Sequence, residues 1–209
     1  MIKAVIFDMD GVLVEAKDWH YEALNKALRL FGYEITREEH LTSYDGLPTK
    51  AKLKMLTEEK GLPAELHSFI NEMKQQYTVS MIFQYCRPNF RHEYALSCLH
   101  HEGYKLAVCS NSIRMTIDLM MQKCALQKYL DFTLSNQDVI KSKPDPEIYD
   151  KAISMLGVSP QECLIVEDNQ NGIKAALASG AHLLKVDTVD DVNYDNIRNR
   201  IDDIEGSTE

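Results

Sequence analysis

KAVIFDMDGVLVE, residues 3–15, is a short apolar run that ends abruptly in two aspartates, Asp8 and Asp10, followed by Gly11. Four consecutive apolar residues, β-branched Val5 and Ile6 among them, carry no helical period and predict a buried strand over 3–7. A buried parallel strand has no reason to end in carboxylates unless that edge carries chemistry, and in open α/β sheets the C-terminal edge is where ligands bind. Side chains alternate along a strand, so Asp8 and Asp10 can face one site. Two like charges that close call for a cation, a proton or a phosphate role to offset their repulsion. The plain alternative at this junction is an Asp-Gly turn with solvated acids.

Outward from this strand, residues 16–84 are helical in pattern. Trp19, Ala23, Leu24, Ala27, Leu28 and Phe31 recur at helical spacing before Gly32, and Thr36 with Glu39 predicts a capping box. Pro48 opens a helix that Gly61 ends, and a fourth helix follows over 63–84 with Leu66, Phe69, Ile70, Met73 and Tyr77 on one face. From Arg87 helix and strand alternate, with strands predicted over 105–109, 131–134, 163–166 and 182–186. Such alternation signifies a parallel sheet with right-handed crossovers. The expected fold is α/β: a doubly wound, Rossmann-like core (1–15 and 85–209) with an inserted four-helix cap (16–84) placed over the sheet edge. The acidic tail 201–209 is expected to fray.

The 209 residues suffice for one large domain or a main domain with an insertion. A net charge of −9 argues against nucleic acid or an anionic membrane as partner. No stretch approaches the ~20 apolar residues of a membrane span, and the N-terminus does not read as a signal peptide. Five scattered cysteines (Cys86, Cys98, Cys109, Cys124 and Cys163), never spaced as CxxC, read as reduced thiols of a cytoplasmic protein and not as a zinc site.

Two further strand ends, and a loop between them, carry polar residues of complementary type. LAVC runs into Ser110-Asn111-Ser112, where a hydroxyl and a helix N-terminus suit an anion, or where a serine simply caps the helix. LIV runs into Glu167-Asp168-Asn169, a second acid pair or another cap. Between them, Pro144 and Pro146 stiffen the loop that holds Lys143, which is otherwise an ordinary exposed lysine. Acid pair, hydroxyl, lysine and acid pair occur in order, each at the same edge of one predicted sheet. That conjunction is what single caps and turns do not explain.

DMDGVLVE, VCSNS, KSKPDPEIY and IVEDNQNGIKAA together resemble the four ordered motifs of the haloacid dehalogenase superfamily. The helical insertion after the first motif resembles the capped branch that includes sugar-phosphate phosphatases and beta-phosphoglucomutases, and the likeness runs from Lys3 to about Val186. The resemblance implies an Mg²⁺-dependent phosphatase acting on a small phosphorylated metabolite. Asp8 would be the nucleophile, Asp10 the general acid and base, Ser110 a ligand to the phosphoryl oxygens aided by backbone near Asn111, and Lys143 the neutralising cation. Asp168, with Glu167, Asp8 and the backbone carbonyl of Asp10, would hold Mg²⁺.

Asp10 and the Glu167-Asp168 pair argue against halide displacement, and Asp10 also argues against phosphonate cleavage. In the insertion, residues 42–50 resemble the specificity loop of the mutases, which makes Asp45, Gly46 and Lys50 candidate substrate contacts, and His20 joins them because it matches a mutase position near the site at the cap hinge. Acidic Asp45 and neutral Thr49 stand where the mutases keep basic residues for a second phosphate, which disfavours a mutase. A non-catalytic phosphate-binding module is disfavoured by the intact acid, hydroxyl and lysine set. The chain is expected to act as a monomer or weak homodimer.

Overall fold

The computed structural model describes residues 1–206. These divide into two compact units: Met1–Glu15 with the chain from Cys86 onward, and Ala16–Tyr85.

The first unit is built on a five-stranded, all-parallel sheet of order β3-β2-β1-β4-β5. β1 (Ala4–Phe7), β2 (Lys105–Cys109), β3 (Phe132–Leu134), β4 (Cys163–Glu167) and β5 (His182–Lys185) are joined through helices. β1 is central because all four of its residues are fully buried apolar side chains, which only a strand covered on both faces can be. Its register pairs Phe7 with Val108 of β2 and with Val166 of β4, so Asp8, Cys109 and Glu167 leave the sheet at one level. The chain changes from one side of β1 to the other on passing from β3 to β4, which makes the C-terminal end of β1 the switch point at which such sheets open a crevice. One face of the sheet packs on a core that includes Ile148, Tyr149, Ala152, Ile153 and Leu156.

The helices of this unit are α5 (Phe90–His101), α6 (Arg114–Lys123), α7 (Glu147–Leu156), α8 (Gln170–Ala178) and α9 (Tyr194–Gly206). The tail departs from expectation. Instead of fraying from Ile201 it forms α9, because Ile197 and Ile201, one helical turn apart, are both fully buried and α9 packs against α5. Residues 207–209 lie outside the described part of the chain.

The helical unit carries α1 (Lys17–Arg29), α2 (Arg37–Glu39), α3 (Thr49–Lys60) and α4 (His67–Tyr85). The Thr36–Glu39 capping box is present in both directions. The helix it starts is short, however, and passes at once into a π-helical turn, His40–Tyr44. The expected four-helix insertion is thus three longer helices and one irregular segment. Of the expected face of this helical stretch, Ile70 is buried and Leu66, Met73 and Tyr77 pack against the core of the unit, while Phe69 is exposed; Lys74, Thr78 and Ile82 of α4 are buried as well. No helix among the described residues is long and apolar enough to cross a membrane.

Candidate active site

Asp8 is the first residue beyond β1, and its backbone N–H still donates to the Val166 carbonyl of β4 (3.0 Å). That bond holds the carboxylate against the neighbouring strand end. Lys143, from the loop before α7, reaches the same point and is almost wholly buried. Its ammonium donates to Asp8 Oδ1 (2.6 Å), to Glu167 Oε1 (2.8 Å) and to the Cys109 carbonyl (2.9 Å). All three ammonium protons are used. Burial disfavours the charge of Lys143, but Asp8 and Glu167 in contact with it outweigh that and hold the ammonium above the ordinary lysine value.

Carboxylate oxygens of Asp8, Glu167 and Asp168 lie within 4.8 Å of one another. Burial raises the Asp8 carboxyl well above the usual range, Lys143 opposes this, and the charges of Glu167, Asp168 and Asp10 add to it. One ammonium faces an excess of acids, so a second cation or a proton is needed for balance. A set of oxygen donors with excess negative charge fits a hard divalent cation such as Mg²⁺.

Within that set the three acids are not equivalent. Glu167 Oε2 accepts the backbone N–H groups of Asp168 (2.8 Å) and Asn169 (3.0 Å). Its Oε1 accepts from Lys143 and from the Tyr149 hydroxyl (2.9 Å). Four donors fill the four acceptor positions of one carboxylate. Glu167, expected as a metal ligand, would therefore have to exchange one of these donors to hold an ion directly. Capping of α8 falls to Asn169, whose side chain accepts from the Asn171 N–H (2.9 Å), and not to Asp168.

The Asp10 carboxylate belongs to a second group. Its Oδ2 accepts from the Ser112 hydroxyl (3.1 Å) and, more loosely, from Ser110 (3.4 Å), whose own oxygen accepts the Ser112 N–H (3.0 Å). Neither serine caps α6: the residue at its N-cap is Ile113, with no side-chain cap bond. Asp10 is not one of the three clustered acids, and its expected metal contact is through its backbone carbonyl alone.

The side-chain amide of Asn111, whose neighbouring backbone is the expected phosphoryl contact, embraces the Lys143 backbone, accepting the N–H (3.1 Å) and donating to the carbonyl (3.3 Å). It fixes the lysine loop, and Asn136 in turn donates to the Asn111 carbonyl (2.8 Å). The Lys143–Pro144 peptide is cis.

Tyr149, Asn136 and Gly172 are site residues that the sequence reading does not single out. Tyr149 is the last residue of KSKPDPEIY, so the motif signals its place but nothing signals a partner for its hydroxyl. Burial, with the facing charges of Glu167 and Asp8, holds that phenol well above its ordinary range, so it stays a donor.

The remaining candidates lie in the helical unit. His20 is on α1, where its Nδ1 accepts from the buried Lys74 of α4 (3.1 Å). Asp45 follows the π-helical turn, its carboxylate 3.7 Å from His40 Nε2, and Gly46 takes a left-handed conformation with φ of 70°. Lys50 is exposed on the first turn of α3.

The chain matches the haloacid dehalogenase-like hydrolases over residues 5–186. A phosphorylated carbohydrates phosphatase of Thermotoga maritima is 29% identical over 182 residues, covering 86% of this chain and 82% of its own. A phosphoglycolate phosphatase of Aquifex aeolicus is 26% identical over 179 residues, with the same coverage of 86% and 82%. Among solved structures, a beta-phosphoglucomutase from Clostridium difficile superposes with a TM-score of 0.85 at 24% identity, over 99% of this chain and 100% of that one, a likeness of fold. With a match that takes in all four polar strand and loop ends, this chain belongs to the haloacid dehalogenase-like hydrolase family.

Proposed function

We propose that this chain is a phosphatase that releases phosphate from a small phosphorylated metabolite, a sugar phosphate by preference, through a phosphoryl group carried on Asp8. The observation that carries this reading is the buried Lys143 bridging Asp8 and Glu167 beside Asp168. Such an arrangement suits a carboxylate nucleophile whose charge, and that of an incoming phosphoryl group, must be neutralised out of water. The named phosphatases among the relatives support it.

In the first step an Asp8 carboxylate oxygen bonds to phosphorus as the ester P–O bond breaks, and Asp10 gives its proton to the departing alkoxide. In the second, water attacks phosphorus, its proton passes to Asp10, and the Asp8–phosphorus bond breaks to release phosphate. Ser110 and Ser112 hold the Asp10 carboxylate between these two duties. Lys143 keeps Asp8 oriented and takes up charge on the phosphoryl oxygens. Asp8 and Asp168 would hold Mg²⁺, with the Asp10 carbonyl, and the ion would neutralise charge on the transferring group. Five free cysteines, four of them buried, fit a reducing cytoplasm.

A screen of sugar phosphates, phosphoglycolate and nucleotides tests the reading. The expected result is phosphate release from a monophosphate without any bisphosphate activator, stopped by a chelator and restored by Mg²⁺. An isomerised product, or turnover that survives complete metal removal, contradicts it.

A further inference from the structure

We propose that Tyr149 is a positioning residue for this site: its hydroxyl, by donating to Glu167, keeps that carboxylate from drawing Lys143 off Asp8. Tyr149 is fully buried on α7, with its oxygen 2.9 Å from Glu167 Oε1 and its ring 4.6 Å from the Lys143 ammonium. The ring packs and offers its face to the cation. The hydroxyl does something separate.

Lys143 is shared between two acids at nearly equal distance, 2.6 Å to Asp8 and 2.8 Å to Glu167. Glu167 Oε1 has two donors, the ammonium and the phenol, and the phenol takes part of its charge. Without the phenol, Lys143 is the sole donor to that oxygen, and the balance tips towards Glu167.

Glu167 has no room to compensate by backing away. A Cβ built on Gly172 of α8 would stand 1.6 Å from Glu167 Oε1 and 2.0 Å from its Cδ, so the carboxylate occupies the space of the missing side chain. Its other oxygen is tied to two backbone N–H groups. Gly172, two backbone N–H groups and the Tyr149 hydroxyl thus bound the carboxylate, with Lys143 as its remaining neighbour.

Tyr149→Phe removes the hydroxyl and keeps the ring. The inference rests on the phosphatase reading, and two readouts separate their failures. In kinetics, Tyr149→Phe is expected to lower kcat roughly five- to thirtyfold with KM within about twofold, and with a melting temperature lowered by no more than several degrees. In a Glu167→Gln background the same change should cost less than about twofold, because the neutral amide no longer competes for Lys143. An unchanged kcat, or an equal loss in both backgrounds, overturns the proposal. In crystal structures, the Lys143–Asp8 separation should lengthen in Tyr149→Phe by about half an ångström or more. An unmoved ammonium overturns the proposal even if no phosphate ester is ever hydrolysed, whereas a wild type inactive on every ester, with the ammonium displaced, overturns only the phosphatase reading.

Discussion

The two units bury polar side chains for different ends. In the α/β unit they gather at the C-terminal edge of the sheet: Lys143, Asp8 and Glu167 bond to one another, and the residues that serve them, Asn111 and Tyr149, are committed in turn. In the helical unit the polar interior closes local geometry. Asn25 is fully buried and bonds both the N–H (2.9 Å) and the carbonyl (2.8 Å) of Ile35, and the Tyr44 hydroxyl donates to Glu59 (2.7 Å). Charge gathered at one point is expensive and signals chemistry, whereas dispersed polar bonds hold a chain in shape.

The contrast breaks first at Lys143. Replacing it by Met leaves Asp8 and Glu167 buried with no ammonium between them. We expect about 3–5 kcal/mol less stability from urea unfolding and at least about a thousandfold loss of kcat, with part of the stability regained in acid as Asp8, whose carboxyl burial already raises, takes up its proton. A variant as stable as wild type at pH 7 would remove the case for a coupled charge cluster.

A pH titration of the helical unit sharpens the comparison at intermediate size. Burial lowers His40 to about 4, Lys52 and Arg37 act in the same direction, and Asp45 and Asp18 oppose them. The folded ring is thus neutral where the unfolded one is charged. The unfolded state binds more protons between about pH 6.5 and 4, so stability present above pH 6.5 is lost as pH falls through that window, by up to about 3 kcal/mol. Unfolding followed at pH 7.5 and 4.5 in wild type and His40→Gln checks this; the variant should lose most of the dependence while kcat at pH 7.5 stays within about twofold. The smallest effect is expected at Thr36. Thr36→Ala opens an exposed capping box and should cost about 1 kcal/mol, with no change in kcat.

Those unequal sensitivities track what the sequence reveals. The strand ends are legible because each sets acids, hydroxyls or a proline-held lysine directly after an apolar run, and the register then brings Asp8, Cys109 and Glu167 to one level. What periodicity does not reveal is the partner of a side chain distant in the chain. Nothing in KSKPDPEIY says that Tyr149 will meet Glu167, or that Asn111 will spend its amide on Lys143. α9 hides behind its acidic composition because two isoleucines suffice to anchor it. In the helical unit Lys52 and Lys74 are buried although their type predicts exposure, and the π-helical turn has no sequence signature.

The central claim is that phosphate passes through Asp8. Rapid quenching of the enzyme during turnover of a radiolabelled sugar phosphate tests it most directly. The account predicts label bound to the peptide carrying Asp8, chased off by unlabelled substrate and absent from Asp8→Asn, which should keep the fold and lose turnover. Steady phosphate release with no label on the protein at any time, or with Asp8→Asn still active, would contradict it.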